Sequence, residues 1–84
     1  MQYDFGAGLV DAHQHPNGEG WVADTARVAD TAYVGPEARV FDQAWVFDKA
    51  RVYGQALVSD QARVYGEARV SGEARVSGEA GVSK

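Results

Sequence analysis

A valine recurs at every sixth position from Val22 to Val82, and this period constrains the fold more than any other feature of the chain. A small residue stands two positions before each valine, first Gly20 and then an alanine in every unit from Ala26 to Ala80. On an α-helix, residues six apart are rotated by roughly 240° about the axis, so the valines would scatter around it instead of forming one apolar stripe. The period therefore argues against an amphipathic helix.

The same repeat fits a strand followed by a corner. In residues 50–53, side-chain alternation places Ala50 and Val52 on one face and Arg51 and Tyr53 on the other. The next two residues supply a turn, and the Asp or Gly that begins it is typical of a residue held near the left-handed region. Three such hexads close a triangular coil of 18 residues, so residues 18 apart are predicted to lie in register on neighbouring coils.

The chain from residue 21 to residue 84 resembles the hexapeptide-repeat proteins, in which an aliphatic residue is followed four places later by a small one. Here that spacing runs from Val22 and Ala26 through to Val76 and Ala80. The resemblance implies an all-β protein, a left-handed parallel β-helix that is a triangular β-solenoid with 18 residues per coil and about three and a half coils. The lead-in to the hexads is similar to that of uncharacterised bacterial and phage solenoids of this family. The family contains acyltransferases and carbonic-anhydrase-like enzymes, and also solenoids with no assigned chemistry.

Two segments are predicted, an N-terminal cap over residues 1–20 and the hexapeptide-repeat β-helix over residues 21–84. Tyr3, Phe5 and Leu9 give the first segment apolar surface, and residues 15–18 have the composition of a turn. A cap is expected because the first coil of a solenoid otherwise exposes strand edges and core.

The opposite end of the repeat has no such cover. The hexads continue to the end of the sequence without a helix or an aromatic plug, which leaves backbone groups and apolar core open. A symmetric partner is the simplest cover, so we predict an end-to-end homodimer through residues 64–84. The alternative is a frayed end of a truncated chain. The predicted self-association residues are Val64, Val70, Val76, Ala80 and Val82.

Candidate catalytic and metal-binding residues are few. His13 and His15 lie two apart, so an extended segment could present both to one metal ion. The resembled carbonic-anhydrase-like enzymes need three histidines from inside the coils, and the acyltransferases use a catalytic histidine, often with a loop inserted between coils. Here both histidines precede the first hexad and no hexad is interrupted. We therefore predict no enzyme activity and no cofactor, with both imidazoles packed or hydrogen-bonded within the cap.

Aspartates at the corners offer a second metal hypothesis. Asp24, Asp42 and Asp60 fall in one predicted column, and stacked carboxylates could coordinate Ca²⁺. Glycine takes the same place in later hexads, as at Gly66 and Gly78. That exchange favours a corner that needs a permissive backbone over a metal site.

Outward-facing aromatic and arginine side chains form the predicted interaction surface. Register places Trp45 between Arg27 and Arg63, a favourable cation–π arrangement, and predicts a further column of Tyr33, Arg51 and Arg69. Aromatic residues and arginine are enriched in protein interfaces, although large side chains could simply shield the strands beside them. The predicted surface comprises Arg27, Phe41, Trp45, Phe47, Tyr53, Arg63 and Tyr65.

Composition narrows the function further. A net charge of −4 argues against direct nucleic-acid binding, and the sequence has no cysteine, no apolar run that could span a bilayer and no secretory leader, which predicts a cytoplasmic protein without membrane contact. We expect a non-catalytic structural or protein-binding module whose partners are itself and an unidentified protein. One alternative is an acidic inhibitor, for example from a phage, that mimics nucleic acid with Glu67, Glu73 and Glu79. A second alternative is a reduced acyltransferase-like protein.

Overall fold

A computed structural model describes residues 1–6 and 8–83, so Lys84, at the end of the predicted interface, lies outside the described residues. The described part of the chain contains strands and turns but no helix, and hence none long and apolar enough to cross a membrane. The strands are β1 (Gln2–Asp4), β2 (Leu9–Gln14), β3 (Trp21–Ala23), β4 (Arg27–Val28), β5 (Tyr33–Val34), β6 (Arg39–Val40), β7 (Trp45–Val46), β8 (Arg51–Val52), β9 (Leu57–Val58), β10 (Arg63–Val64), β11 (Arg69–Val70), β12 (Arg75–Val76) and β13 (Gly81–Val82).

The repeat builds a three-sided β-solenoid of about three turns. One side contains β3, β6, β9 and β12, the second contains β4, β7, β10 and β13, and the third contains β5, β8 and β11. Strands on each side are parallel, and Val22, Val40, Val58 and Val76 follow one another in register. The predicted all-β solenoid and its 18-residue register are therefore confirmed.

Alanine and valine form the core, as side-chain alternation predicts. Every alanine and valine at the repeat positions from Ala32 to Val64 is 0% exposed. The outward residue of each strand donates its backbone N–H to the next coil, for example Arg51 to the Ala68 carbonyl at 2.9 Å and Leu57 to the Ala74 carbonyl at 3.0 Å. Burying each valine side chain contributes about 1.5–3 kcal/mol, and the ladder satisfies the backbone groups that are buried with it.

Corners after the first coil use the left-handed backbone conformation that the sequence predicts. The φ angles are 60° at Asp42, 61° at Asp48 and 58° at Asp60, close to the 68° of Gly54. Aspartate carries a further advantage over glycine here, because its carboxylate accepts a backbone N–H from the coil below. Asp48 Oδ2 accepts from the Gly66 N–H at 3.1 Å.

The prediction of left-handed corners is wrong for the first coil, where Asp24 and Asp30 do not have positive φ. A hydroxyl explains the difference. Thr25 and Thr31 donate their side-chain O–H to the carbonyls of the corner residues one coil below, Asp42 and Asp48. In later coils a backbone N–H makes the equivalent bond, as Gln43 does to the Asp60 carbonyl at 2.9 Å. The third corner of this coil is Pro36, whose ring fixes φ near −65° and excludes the left-handed form.

Two glycine substitutions separate backbone strain from crowding at these corners. Gly54 and Gly72 have nearly equal φ angles of 68° and 66°, but a Cβ at Gly54 would lie 2.8 Å from the Gly72 nitrogen, whereas nothing lies within 4 Å of one at Gly72. We expect Gly72→Ala to lower the free energy of unfolding by roughly 1–2 kcal/mol, and Gly54→Ala by at least about 1 kcal/mol more. Urea denaturation of both variants measures the difference, and equal losses would contradict the coil contact.

Residues 1–20 cover two of the three strand edges at the first coil. Strand β2 pairs antiparallel with β3, with Ala12 opposite Ala23, and β1 pairs antiparallel with β2. The following turn crosses the upper edge of β5, where the Val34 N–H donates to the Asn17 carbonyl at 3.0 Å and the Gly20 N–H donates to the Val34 carbonyl at 2.9 Å. Strand β4 is the outermost strand of its side.

The last coil leaves its lower edge open over the described range. No strand among residues 1–6 and 8–83 pairs with the lower edges of β11, β12 and β13. Ala74 and Ala80 are exposed there, although Ala56 and Ala62, their equivalents one coil above, are 0% exposed. The two ends of the solenoid are therefore chemically different.

Candidate interaction surfaces

A cluster of rings and a guanidinium group lies on the side formed by β4, β7, β10 and β13. The Phe47 ring is stacked on Tyr65 with centroids 5.1 Å apart and tilted against Trp45 at 4.9 Å. The Arg27 guanidinium lies 5.9 Å from the centroid of Trp45, which is 40% exposed. We call Arg27, Trp45, Phe47, Arg63 and Tyr65 the Trp45 face.

A groove of about 510 Å³ borders the Trp45 face toward the open end. Phe47, Arg63 and Tyr65 line one part of it, and Glu79, Ala80 and Gly81 of the last coil line the other. The groove places ring faces beside one cationic and one anionic side chain. This arrangement suits contact with another protein chain, because aromatic anchors beside charged groups are typical of interface centres.

Phe41 and Tyr53, which the sequence groups with this surface, lie elsewhere. Phe41 is stacked against Phe5 of the cap with centroids 5.0 Å apart. Tyr53 follows β8 on the third side and lines a different groove together with Tyr33 and Arg51. The predicted surface therefore divides among the cap, the Trp45 face and the third side.

Phe41 belongs to a ring cluster that fastens the cap and that the sequence reasoning missed. Tyr3 is stacked on Trp21 with centroids 4.6 Å apart and meets Phe5 edge to face at 4.7 Å. The Arg39 guanidinium lies 5.8 Å from the Tyr3 centroid. The apolar composition of residues 3–10 was the available signal, but it did not identify which rings of the solenoid would be covered.

The histidines take separate positions in the cap. His13 Nδ1 lies 2.7 Å from Asp24 Oδ1, and both side chains are more than half exposed. His15 is 2% exposed, and its Nε2 lies 2.9 Å from the Ala32 carbonyl oxygen, so this nitrogen carries the proton and donates it. The Asn17 amide donates to the same carbonyl at 3.0 Å. His15 therefore holds the cap turn to the first coil.

The other metal candidates, Asp42 and Asp60, take part in corner hydrogen bonds. Asp42 Oδ2 accepts from the Asp60 N–H at 3.3 Å, and Asp60 Oδ2 accepts from the Gly78 N–H at 3.1 Å. Within residues 1–6 and 8–83, no group of three or more His, Cys, Asp or Glu side chains is arranged to hold a metal ion.

The open end combines apolar core with balanced charge. Val70 and Val76 are 4% and 8% exposed, and Val82 is only partly buried. Arginine and glutamate alternate around this coil and cancel in number, so the net charge of −4 resides on the rest of the chain. These charged residues are Arg63, Glu67, Arg69, Glu73, Arg75 and Glu79.

Comparisons with known proteins supply no relative: no protein-family model, no curated protein and no solved structure matches the chain significantly.

Proposed function

We propose that this protein is a non-catalytic structural module that associates with a second copy of itself through its last coil and presents the Trp45 face to a protein partner. We further infer that it is a cytoplasmic member of the hexapeptide-repeat family with a left-handed coil. The spacing of valine and alanine supports the family assignment, and the 18-residue register is the one that three hexads per coil require.

The observation that carries the self-association proposal is the difference between the two ends. Backbone hydrogen bonds cover the upper edges of β3 and β5, whereas the lower edges of β11, β12 and β13 have no strand partner within the described chain. Three open edges around exposed Ala74 and Ala80 are a template for another strand. A second copy offers the same three edges in the same triangular outline.

The cap favours a closed dimer over a filament. Head-to-tail stacking would require the last coil of one copy to reach the first coil of the next, where β2 and the turn at residues 15–20 already occupy two edges. Tail-to-tail contact about a two-fold axis avoids this obstruction and closes after two copies. The alternating arginines and glutamates are self-complementary in such a contact, and their zero net charge avoids repulsion.

Amide hydrogen exchange tests this proposal on the wild-type chain. The N–H groups of Arg51, Leu57 and Arg63 donate to the coil below, so the equivalent N–H groups of Arg69, Arg75 and Gly81 point out of the open end. We expect protection of these three amides to rise with protein concentration, because strand pairing in the dimer shields them. The Arg51, Leu57 and Arg63 amides should be protected throughout and serve as the internal control. Equally fast exchange of the three outer amides at all concentrations would contradict the proposal.

A further inference from the structure

A groove on the third side of the solenoid lies apart from the Trp45 face and from the open end. Its volume is about 680 Å³, within the range of about 300–1,000 Å³ that is typical of small-molecule sites. Strands β5 and β8 form its floor, and the cap turn closes its upper end. The lining residues are Asn17, Thr31, Tyr33, Lys49, Arg51 and Tyr53.

The groove concentrates positive charge on an acidic protein. Arg51 stands in register between Tyr33 above and Arg69 below, so two guanidinium-bearing strands are neighbours about 4.8 Å apart. Among the described residues, His13 and Asp24 are the oppositely charged pair within 4.0 Å, so no described carboxylate neutralises either arginine. Stacked like charges repel each other, and an anion bound between them removes that repulsion.

Lys49 adds a third cation at the corner beside Arg51. Two carboxylates lie at the same corner, and neither faces the arginines in an ion pair. Asp48 accepts the Gly66 N–H at 3.1 Å, and Glu67 occupies the position one coil below Lys49. The three cations therefore outnumber the nearby carboxylates and leave the groove positive.

Two tyrosines supply ring surface next to these cations. The Tyr33 ring is held between glycines, since a Cβ at Gly18 would lie 2.9 Å from its Cε1 and a Cβ at Gly35 would lie 3.5 Å from its Cε2. Gly35 also leaves room for Tyr53, whose Cβ would lie 3.2 Å from the same added atom. Tyr53 is two residues beyond Arg51 on the same strand run, a separation of about 7 Å. A ligand spanning these groups would have a planar ring at one end and anionic oxygens at the other.

We propose that this groove binds a nucleoside triphosphate, with the base against Tyr33 and Tyr53 and the phosphates on Lys49, Arg51 and Arg69. Aromatic side chains stack on any nucleobase, and arginine binds phosphate oxygens in a bidentate manner. A free phosphate would leave the rings unused. An acidic peptide would use the cations but has no planar group for both tyrosines.

Nuclear magnetic resonance titration of the ¹⁵N-labelled protein with ATP tests the site. We expect amide shifts confined to residues 31–35, 49–53 and 67–71. Arg51→Gln should weaken ATP binding at least about tenfold, because it removes a charged hydrogen-bond donor. Arg63→Gln, the same charge change on the Trp45 face, should alter the dissociation constant less than about twofold. The ¹⁵N spectra of the variants report whether the coils remain folded.

The base and the phosphates are separated by two further probes. Tyr53→Ala should weaken ATP binding about tenfold and leave inorganic triphosphate binding unchanged. Equal affinity of the wild-type protein for ATP and for inorganic triphosphate would overturn the nucleotide assignment. Tighter binding of a glutamate-rich peptide than of ATP would assign the groove to acidic peptides instead. Equal losses in Arg51→Gln and Arg63→Gln, or no shifts at millimolar ATP, would overturn the site itself.

Discussion

Replacing Val52 with aspartate is expected to abolish folding. Val52 is 0% exposed and lies in the middle of the stack, in register with Val34 above and Val70 below. The substitution buries a carboxylate that no hydrogen-bond donor in this alanine and valine core can satisfy, at a cost of at least about 4–5 kcal/mol. A domain of this size has a total stability of roughly 4–13 kcal/mol, so the loss is comparable to the whole.

Gln55→Asp is the matched control, because it introduces the same carboxylate three residues later at an exposed corner. We expect its free energy of unfolding to stay within about 0.5 kcal/mol of the wild type. Far-ultraviolet circular dichroism and the dispersion of the amide spectrum distinguish the two variants. A folded Val52→Asp protein that is less than about 1 kcal/mol below the wild type would contradict the core assignment.

The stacking of the coils was predictable because one residue type carries it. Each valine has the same neighbours 18 residues before and after, so period six determines the inward face and the register together. The pairs Tyr33 with Arg51 and Arg27 with Trp45 follow from that register and are observed. Even the stacking of Phe47 on Tyr65 required no more than their separation of 18 positions.

The cap was less predictable because its contacts have no period. Whether residues 9–14 pair with β3 or fold over the core depends on long-range packing, and Phe5 selects Phe41 through that packing alone. The corners of the first coil are an intermediate case. Aspartate tolerates both backbone conformations, so Asp24 by itself does not decide its φ. The neighbouring Thr25 and the later Pro36 were signals that could have been interpreted.

The candidate surfaces were predictable as columns but not as sites. Register placed Trp45, Phe47 and Tyr65 near one another, yet only their ring distances show that they form one cluster. Register also aligned Arg51 with Arg69, but the groove beside them depends on Gly18, which belongs to the cap. Sites built by both segments cannot be found from the period of one segment.

A proline at position 75 is expected to block dimerisation. The N–H of Leu57, directly above Arg75, donates to the next coil, so the Arg75 N–H faces the open end and makes no bond to the coil above. Proline lacks this donor and is tolerated at strand edges, so Arg75→Pro removes a pairing group without breaking the ladder. Arg75→Ala keeps the N–H and removes the same side chain, which makes it the matched control.

Solution mass by light scattering across a concentration range is the most direct test of tail-to-tail association. The account predicts that wild type rises to twice the mass of one chain, that Arg75→Ala dimerises with at most a small loss of affinity, and that Arg75→Pro stays at the mass of one chain with a native-like amide spectrum at Val52. A wild-type protein with the mass of a single chain at every concentration would contradict the account. Dimerisation of Arg75→Pro as strong as that of Arg75→Ala would also contradict it, since the contact would then not use the open strand edges.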